Sequence, residues 1–146
     1  MTNRGFDREV EARLSETAVR YTSGRRRVVG ALAAADGPRS ADELHRELGS
    51  TVPLSSIYRT LAVLQTANVV VPHFSAKGVT RYELAEWLMG HHHHLICIDC
   101  GVVEDIPIPQ PLERQVRELV EVIGSRVAFK PVNHALEIEG TCGRCA

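Results

Sequence analysis

His91-His92-His93-His94-Leu95-Ile96-Cys97-Ile98-Asp99-Cys100 sets four consecutive imidazoles against a Cys-x-x-Cys pair, and a second such pair, Cys142 and Cys145, follows downstream. These pairs use all four cysteines of the chain. Thiolate sulfur and imidazole nitrogen are the donors that hold zinc and related divalent ions. Two Cys-x-x-Cys pairs supply the tetrahedral set of a closed structural zinc site. Disulfides need an oxidising compartment, and the opening Met1-Thr2-Asn3-Arg4-Gly5-Phe6-Asp7 does not read as a secretory signal, so reduced thiols and a cytoplasmic protein are expected. A purification tag is a poor account of the histidines, because the run lies well inside the chain and continues into an apolar, strand-like segment.

Side chains alternate across a strand, so an extended run points His91 and His93 one way and His92 and His94 the other. One histidine run can therefore seed two metal sites, each completed by a carboxylate or imidazole from elsewhere. Around it, Leu95 to Ile98 and Val102 to Ile106 read as strands joined at the cysteine knuckle. Leu112, Val116, Leu119 and Ile123 mark a helix, and a last strand covers Ala135 to Ile138. An α/β unit over 87–146 buries too little surface to be comfortable alone, so zinc and a partner subunit are both expected to stabilise it as a homodimer.

Upstream, 1–86 reads as a separate domain. Phe6, Val10, Leu14 and Ala18 recur every four residues on a helix over 6–20; a second helix begins near Gly24 and buries Val28, Val29 and Leu32. Asp36-Gly37-Pro38 breaks it, and Ser40 with Glu43 forms a capping box that starts a third helix ending near Gly49. A fourth, from Pro53 to Asn68, turns Ile57, Leu61 and Leu64 inward and presents Ser55, Tyr58, Arg59 and Ala62 on its other face. Val69-Val70-Val71 and Val79-Thr80-Arg81-Tyr82 around Ala76-Lys77-Gly78 signal a β-hairpin. Helices followed by such a hairpin make a winged helix-turn-helix, whose later helix enters the major groove of double-stranded DNA. The competing reading is a small helical domain with a surface Tyr-Arg pair.

Charge supports the first reading only by its distribution. The net charge is −1, but 1–86 hold 12 Lys plus Arg against 10 Asp plus Glu, while 87–146 hold 5 against 8. Arg20 and Arg25 are placed to contact phosphate or a narrow minor groove, and Tyr58 and Arg59 to read base edges. No apolar run approaches the length of a membrane span. The fold class is thus α+β, a winged helix-turn-helix followed by a small α/β dimerisation domain carrying a four-cysteine zinc site.

The sequence resembles the ferric uptake regulator (Fur) family of metal-dependent repressors over nearly its full length. The resemblance is carried by Ser56-Ile57-Tyr58-Arg59-Thr60-Leu61, Arg81-Tyr82-Glu83-Leu84, the His91 to Cys100 run, Asn133-His134 and Cys142-x-x-Cys145. It implies a homodimeric repressor that binds operator DNA when a divalent metal fills a sensor site. Cys97, Cys100, Cys142 and Cys145 match the structural zinc ligands. Glu83, His92 and His94 match the sensor site between the domains, and His91, His93, Glu113 and His134 match a second site within the dimerisation domain. Many members place a further sensor histidine where this chain has Gly37-Pro38-Arg39, and proline has no ligating side chain. His73 is the first choice to complete the shell, and Asp105 the second.

With every cysteine assigned to the structural site, the sensor donors are nitrogen and oxygen. These suit Fe(II), Zn(II), Mn(II), Ni(II) or Co(II), with iron preferred narrowly over zinc. The alternatives are a peroxide-sensing regulator of the same family, which tends to carry aspartate where Glu83 stands, and a zinc hydrolase. The sequence lacks the His-Glu-x-x-His helix motif of the latter, and no enzymatic activity is expected.

Overall fold

A computed structural model describes residues 4–74 and 77–146 of the chain. It divides into two compact units, one running to His91 and a second spanning His92–Ala146.

In the first unit α1 (Arg4–Ser15), α2 (Ser23–Ala34), α3 (Ala41–Leu48) and α4 (Leu54–Thr66) surround one core, with a 3₁₀ turn at Gly49–Thr51. Val10 and Leu14 of α1, Val28 and Leu32 of α2, Leu44 of α3 and Ile57, Leu61 and Leu64 of α4 are all buried in it. The apolar spacing expected for α2 and α4 is therefore the spacing that packs. The capping box at the start of α3 is present in both directions, from Glu43 N–H to Ser40 Oγ at 3.1 Å and from Ser40 N–H to Glu43 Oε2 at 2.7 Å. The first helix is shorter than the expected 6–20. Ala18 takes a left-handed φ of 56°, and Val19 N–H returns to the Leu14 carbonyl at 3.0 Å, so the chain turns before a further helical turn can form. Ala18 is exposed, and Val19 packs against the core instead.

β2 (Val70–Phe74) and β3 (Thr80–Leu84) pair antiparallel from Val70↔Leu84 to Phe74↔Thr80, forming the expected hairpin. Ala76, assigned to its turn, lies outside the described residues. A short β1 (Arg39–Ser40) adds to the other edge of β3 and gives the sheet order β1-β3-β2. Its third strand is too short to show alternation in the sequence.

A one-turn α5 (Glu86–Met89), which sequence reading did not anticipate, belongs to the first unit. Trp87 Nε1–H donates to the Asn68 carbonyl at 2.7 Å, the Arg13 guanidinium lies 4.5 Å from its ring centre, and Leu88 packs on the core. These contacts attach Trp87 and Leu88 to the first unit, which runs to His91; the sequence suggested a boundary between 86 and 87.

The second unit is a sheet of order β5-β4-β6, built from β4 (His93–Cys97), β5 (Val103–Ile106) and β6 (Glu137–Gly140), with α6 (Gln110–Arg126) between the last two in sequence. β4 runs antiparallel to β5 and parallel to β6. β6 begins at Glu137, later than the expected Ala135. The only buried residue of α6 is Gly124, where a Cβ would stand 2.5 Å from the Phe129 carbonyl oxygen. The helix's apolar positions Leu112, Leu119 and Ile123 remain 50–58% exposed.

Candidate metal centres and nucleic-acid face

The four cysteines come together at one end of the second sheet. β4 ends at Cys97, and Gly101, at φ 75°, turns the chain so that its N–H bonds the Cys97 carbonyl at 2.9 Å, completing the first knuckle. The Cys97↔Gly140 register sets the end of β6 beside it, and Cys145 N–H closes a second turn on the Cys142 carbonyl at 2.9 Å. All four sulfurs lie within 4.8 Å of one another as free thiols, and Cys100 Sγ is 3.8 Å from Cys142 Sγ. A tetrahedral ion with bonds of ~2.3 Å needs an S···S edge of about 3.8 Å, so the donor set fits zinc.

Backbone N–H groups already favour the thiolate form. The Cys100 amide, with that of Cys142, holds the Cys97 thiol down to about 6, and the Arg144 amide lowers Cys142. Cys145, hydrogen-bonded to Cys142, is pushed up to about 12. The sulfurs compete for protons where a cation would relieve them all.

The histidines divide about β4 as alternation requires. On one side, buried His93 places Nε2 2.7 Å from Glu113 Oε2 of α6, while His134 Nε2 lies 2.9 Å from the same carboxylate's Oε1. The two rings stack at 5.4 Å. On the other side, His92 and His94 meet edge to face at 4.9 Å. Their Nε2 atoms lie 3.5 and 3.4 Å from Asp105 Oδ1, which β4–β5 pairing places directly opposite His94. That oxygen is buried and accepts no hydrogen bond among the described residues. Two imidazoles and a carboxylate held just beyond hydrogen-bonding reach are spaced like ligands about an ion, since bonds of ~2.1 Å give a tetrahedral edge of about 3.4 Å.

The first unit carries the remaining expected ligands. His73 Nε2 lies 2.6 Å from Glu83 Oε1, the two projecting from neighbouring strands β2 and β3. His91, on the bend before β4, places Nδ1 3.0 Å from Glu86 Oε1. The structure thus gathers Cys97, Cys100, Cys142 and Cys145; His93, Glu113 and His134; His92, His94 and Asp105; and His73 with Glu83. Asp105 ranked second to His73 in the sequence because the register across the knuckle, which sets it opposite His94, cannot be read from spacing.

On α4, Tyr58 is 52% exposed, with Ser55 and Arg59 beside it on the face opposite Ile57, Leu61 and Leu64. Arg20 is exposed ahead of α2, and its carbonyl accepts a hydrogen bond from the Arg25 guanidinium. Arg25 and Arg59 line one concavity between the starts of α2 and α4. Ser56, also in its wall and 3.4 Å from Arg59 Nη2, was missed from the candidate interface because it falls between the two helical faces.

Residues 16–139 match the profile of the ferric uptake regulator family. The chain is 34% identical over 110 residues, 73% of its length and 70% of the relative's, to the ferric uptake regulation protein of Bacillus subtilis (strain 168). Among solved structures, the Vibrio cholerae ferric uptake regulator, described with rearranged DNA-binding domains, aligns with a TM-score of 0.68 at 28% identity, covering 88% of this chain and 96% of that one. The Helicobacter pylori ferric uptake regulator shares the fold, with a TM-score of 0.77 at 23% identity over 99% and 94% of the two chains. With the two-sided histidine strand, the four-cysteine cluster and the helical unit with its hairpin, these matches establish that the chain belongs to the ferric uptake regulator family.

Proposed function

We propose that this chain is a homodimeric transcriptional repressor of the cytoplasm whose affinity for operator DNA rises when a divalent metal occupies a sensor site built on His92, His94 and Asp105. Family membership makes it a metal-responsive regulator and not an enzyme. The observation that carries the finer reading is the buried Asp105 oxygen, without a hydrogen bond yet faced by two imidazoles at 3.4 and 3.5 Å. A buried carboxylate oxygen without a donor is disfavoured, and a cation between it and the two imidazoles would compensate it.

Glu83 and His73 of the first unit are proposed to complete that shell; its nitrogen and oxygen donors are compatible with Fe(II), the metal proposed here, and with Zn(II), Mn(II) or Ni(II). Cys97, Cys100, Cys142 and Cys145 would hold a structural zinc that cross-links the two knuckles. His93, Glu113 and His134, with His91, are proposed as the second regulatory or stabilising site. The exposed apolar face of α6, including Leu112, Leu119, Val122 and Ile123, suits a subunit interface. No helix among the described residues is long and apolar enough to cross a membrane.

Regulation would be thermodynamic linkage. A ligand shell drawn from both units binds metal better in one conformer, and occupancy shifts the population toward it. If that conformer also presents the two α4 helices to two half-sites, metal and DNA strengthen each other's binding by the same factor. The test is duplex binding by purified protein in a series of buffered metals. Repression is supported if one metal raises affinity at the concentration that fills the histidine site, and excluded if none does.

A further inference from the structure

The concavity between α2 and α4, about 330 Å³ in volume, is lined by Thr22, Gly24, Arg25, Ser56, Arg59 and Thr60 among others. We infer that this notch seats one phosphate of the DNA backbone, fixing the depth and register at which α4 presents Tyr58 and Arg59. The inference rests on the proposed DNA-binding role and deepens it, by assigning a backbone-positioning contact separate from base reading.

Two helix N-termini meet there, each directing partial positive charge into the same space. Neither has an acidic residue in its first turn, whereas α1 carries Asp7, α3 Asp42 and Glu43, and α6 Glu113. Acidic side chains normally settle at this position because the helix dipole favours them. Their absence from both helices of the notch leaves the favourable potential to an outside anion. Pro53 precedes α4 and supplies no side-chain cap; the Ser56 N–H turns back to the Pro53 carbonyl at 3.0 Å, and no side chain caps the amides of Leu54 and Ser55 ahead of it.

The independent observation is Thr60. It is only 7% exposed, it lines the notch, and its hydroxyl makes no hydrogen bond among the described residues. A helical threonine usually satisfies itself on the preceding turn, as Thr66 does on the Ala62 carbonyl at 3.0 Å. Thr60 instead keeps its donor for whatever enters. Beside it the Ser56 hydroxyl and the Arg25 guanidinium supply further donors, Val52 and Pro53 form the apolar part of the wall, and no carboxylate lines it.

Gly24→Asp and Thr60→Val test the assignment. Gly24 has open space where a Cβ would go, so aspartate fits, and in the first turn of α2 it should keep the thermal midpoint at or above that of the parent protein. A duplex is first selected from a random-sequence pool by the metal-loaded parent protein; affinity is then measured on it and on an unrelated duplex across a salt series. Gly24→Asp should weaken binding to both duplexes by at least about tenfold, and the salt slope should fall by about 0.9 per bound protomer. Thr60→Val should lose less, again equally on both, with an unchanged melting curve. Parent-like affinity and slope in Gly24→Asp would overturn the phosphate assignment while leaving DNA binding intact. Failure of the parent protein on every duplex would overturn the DNA reading and the notch together.

Discussion

Stripping the four-cysteine site should unfold the second unit and leave the first standing. Nearly all the buried apolar side chains belong to the first unit; in the second only Cys97 and Val103 qualify. Burying one such side chain contributes ~1.5–3 kcal/mol, whereas closing a structural zinc site contributes ~10–16 kcal/mol in isolated peptides near neutral pH. A zinc held there would therefore outweigh the unit's core and rival the ~5–15 kcal/mol that holds an ordinary domain folded. A strong chelator under reducing conditions, or Cys97→Ser, removes that contribution. Amide hydrogen exchange read by mass spectrometry should show β4, β5 and α6 losing protection together while α4 retains its own, with loss of self-association in parallel. Unchanged protection across 92–146 in protein verified to be zinc-free would show that the unit has another source of stability and that the cysteine site does not hold it folded.

Four further substitutions probe separate links. Asp105→Ala should lower sensor-site affinity by at least about tenfold, as loss of a charged ligand does, whereas His73→Ala tests whether the hairpin contributes; isothermal titration of both with Fe(II) or Zn(II) ranks them, and an unaltered affinity in either removes that residue from the shell. Arg59→Ala should cost ~1–3 kcal/mol on a selected duplex but little on a random one if it reads a base edge; equal losses on both would make it a phosphate contact only. Ala128, which follows α6 at φ 53°, pays for a left-handed backbone, so Ala128→Gly should stabilise the second unit by ~0.5–1 kcal/mol in thermal melts, and no change would argue against strain there.

Sequence reading located the elements whose periodicity is complete and whose ends are marked. Ile57, Leu61 and Leu64 gave α4 its inward face, Ser40 and Glu43 marked the start of α3, and the cysteine pairs marked the knuckles. It overextended α1 because Ala18 fits the apolar spacing, while the left-handed turn that excludes it leaves no mark on an alanine. It missed β1 and α5, which are too short to carry a period and exist through tertiary contacts, the pairing of Arg39 with Tyr82 and the anchoring of Trp87. The division of His92 and His94 from His93 followed from strand alternation alone. Their shared neighbour Asp105 and the buried Thr60 depend on sheet register and helix packing, which a single sequence does not state.

Whether filling the histidine site increases affinity for DNA is decided by measuring DNA affinity and metal affinity in the same buffered system. Affinity for a selected duplex should rise about 5- to 150-fold as the site of His92, His94 and Asp105 fills, and the duplex should raise metal affinity by the same factor, the reciprocity that linkage demands. A site that fills while duplex affinity stays constant, or a metal-free protein that already binds as tightly, would contradict that linkage.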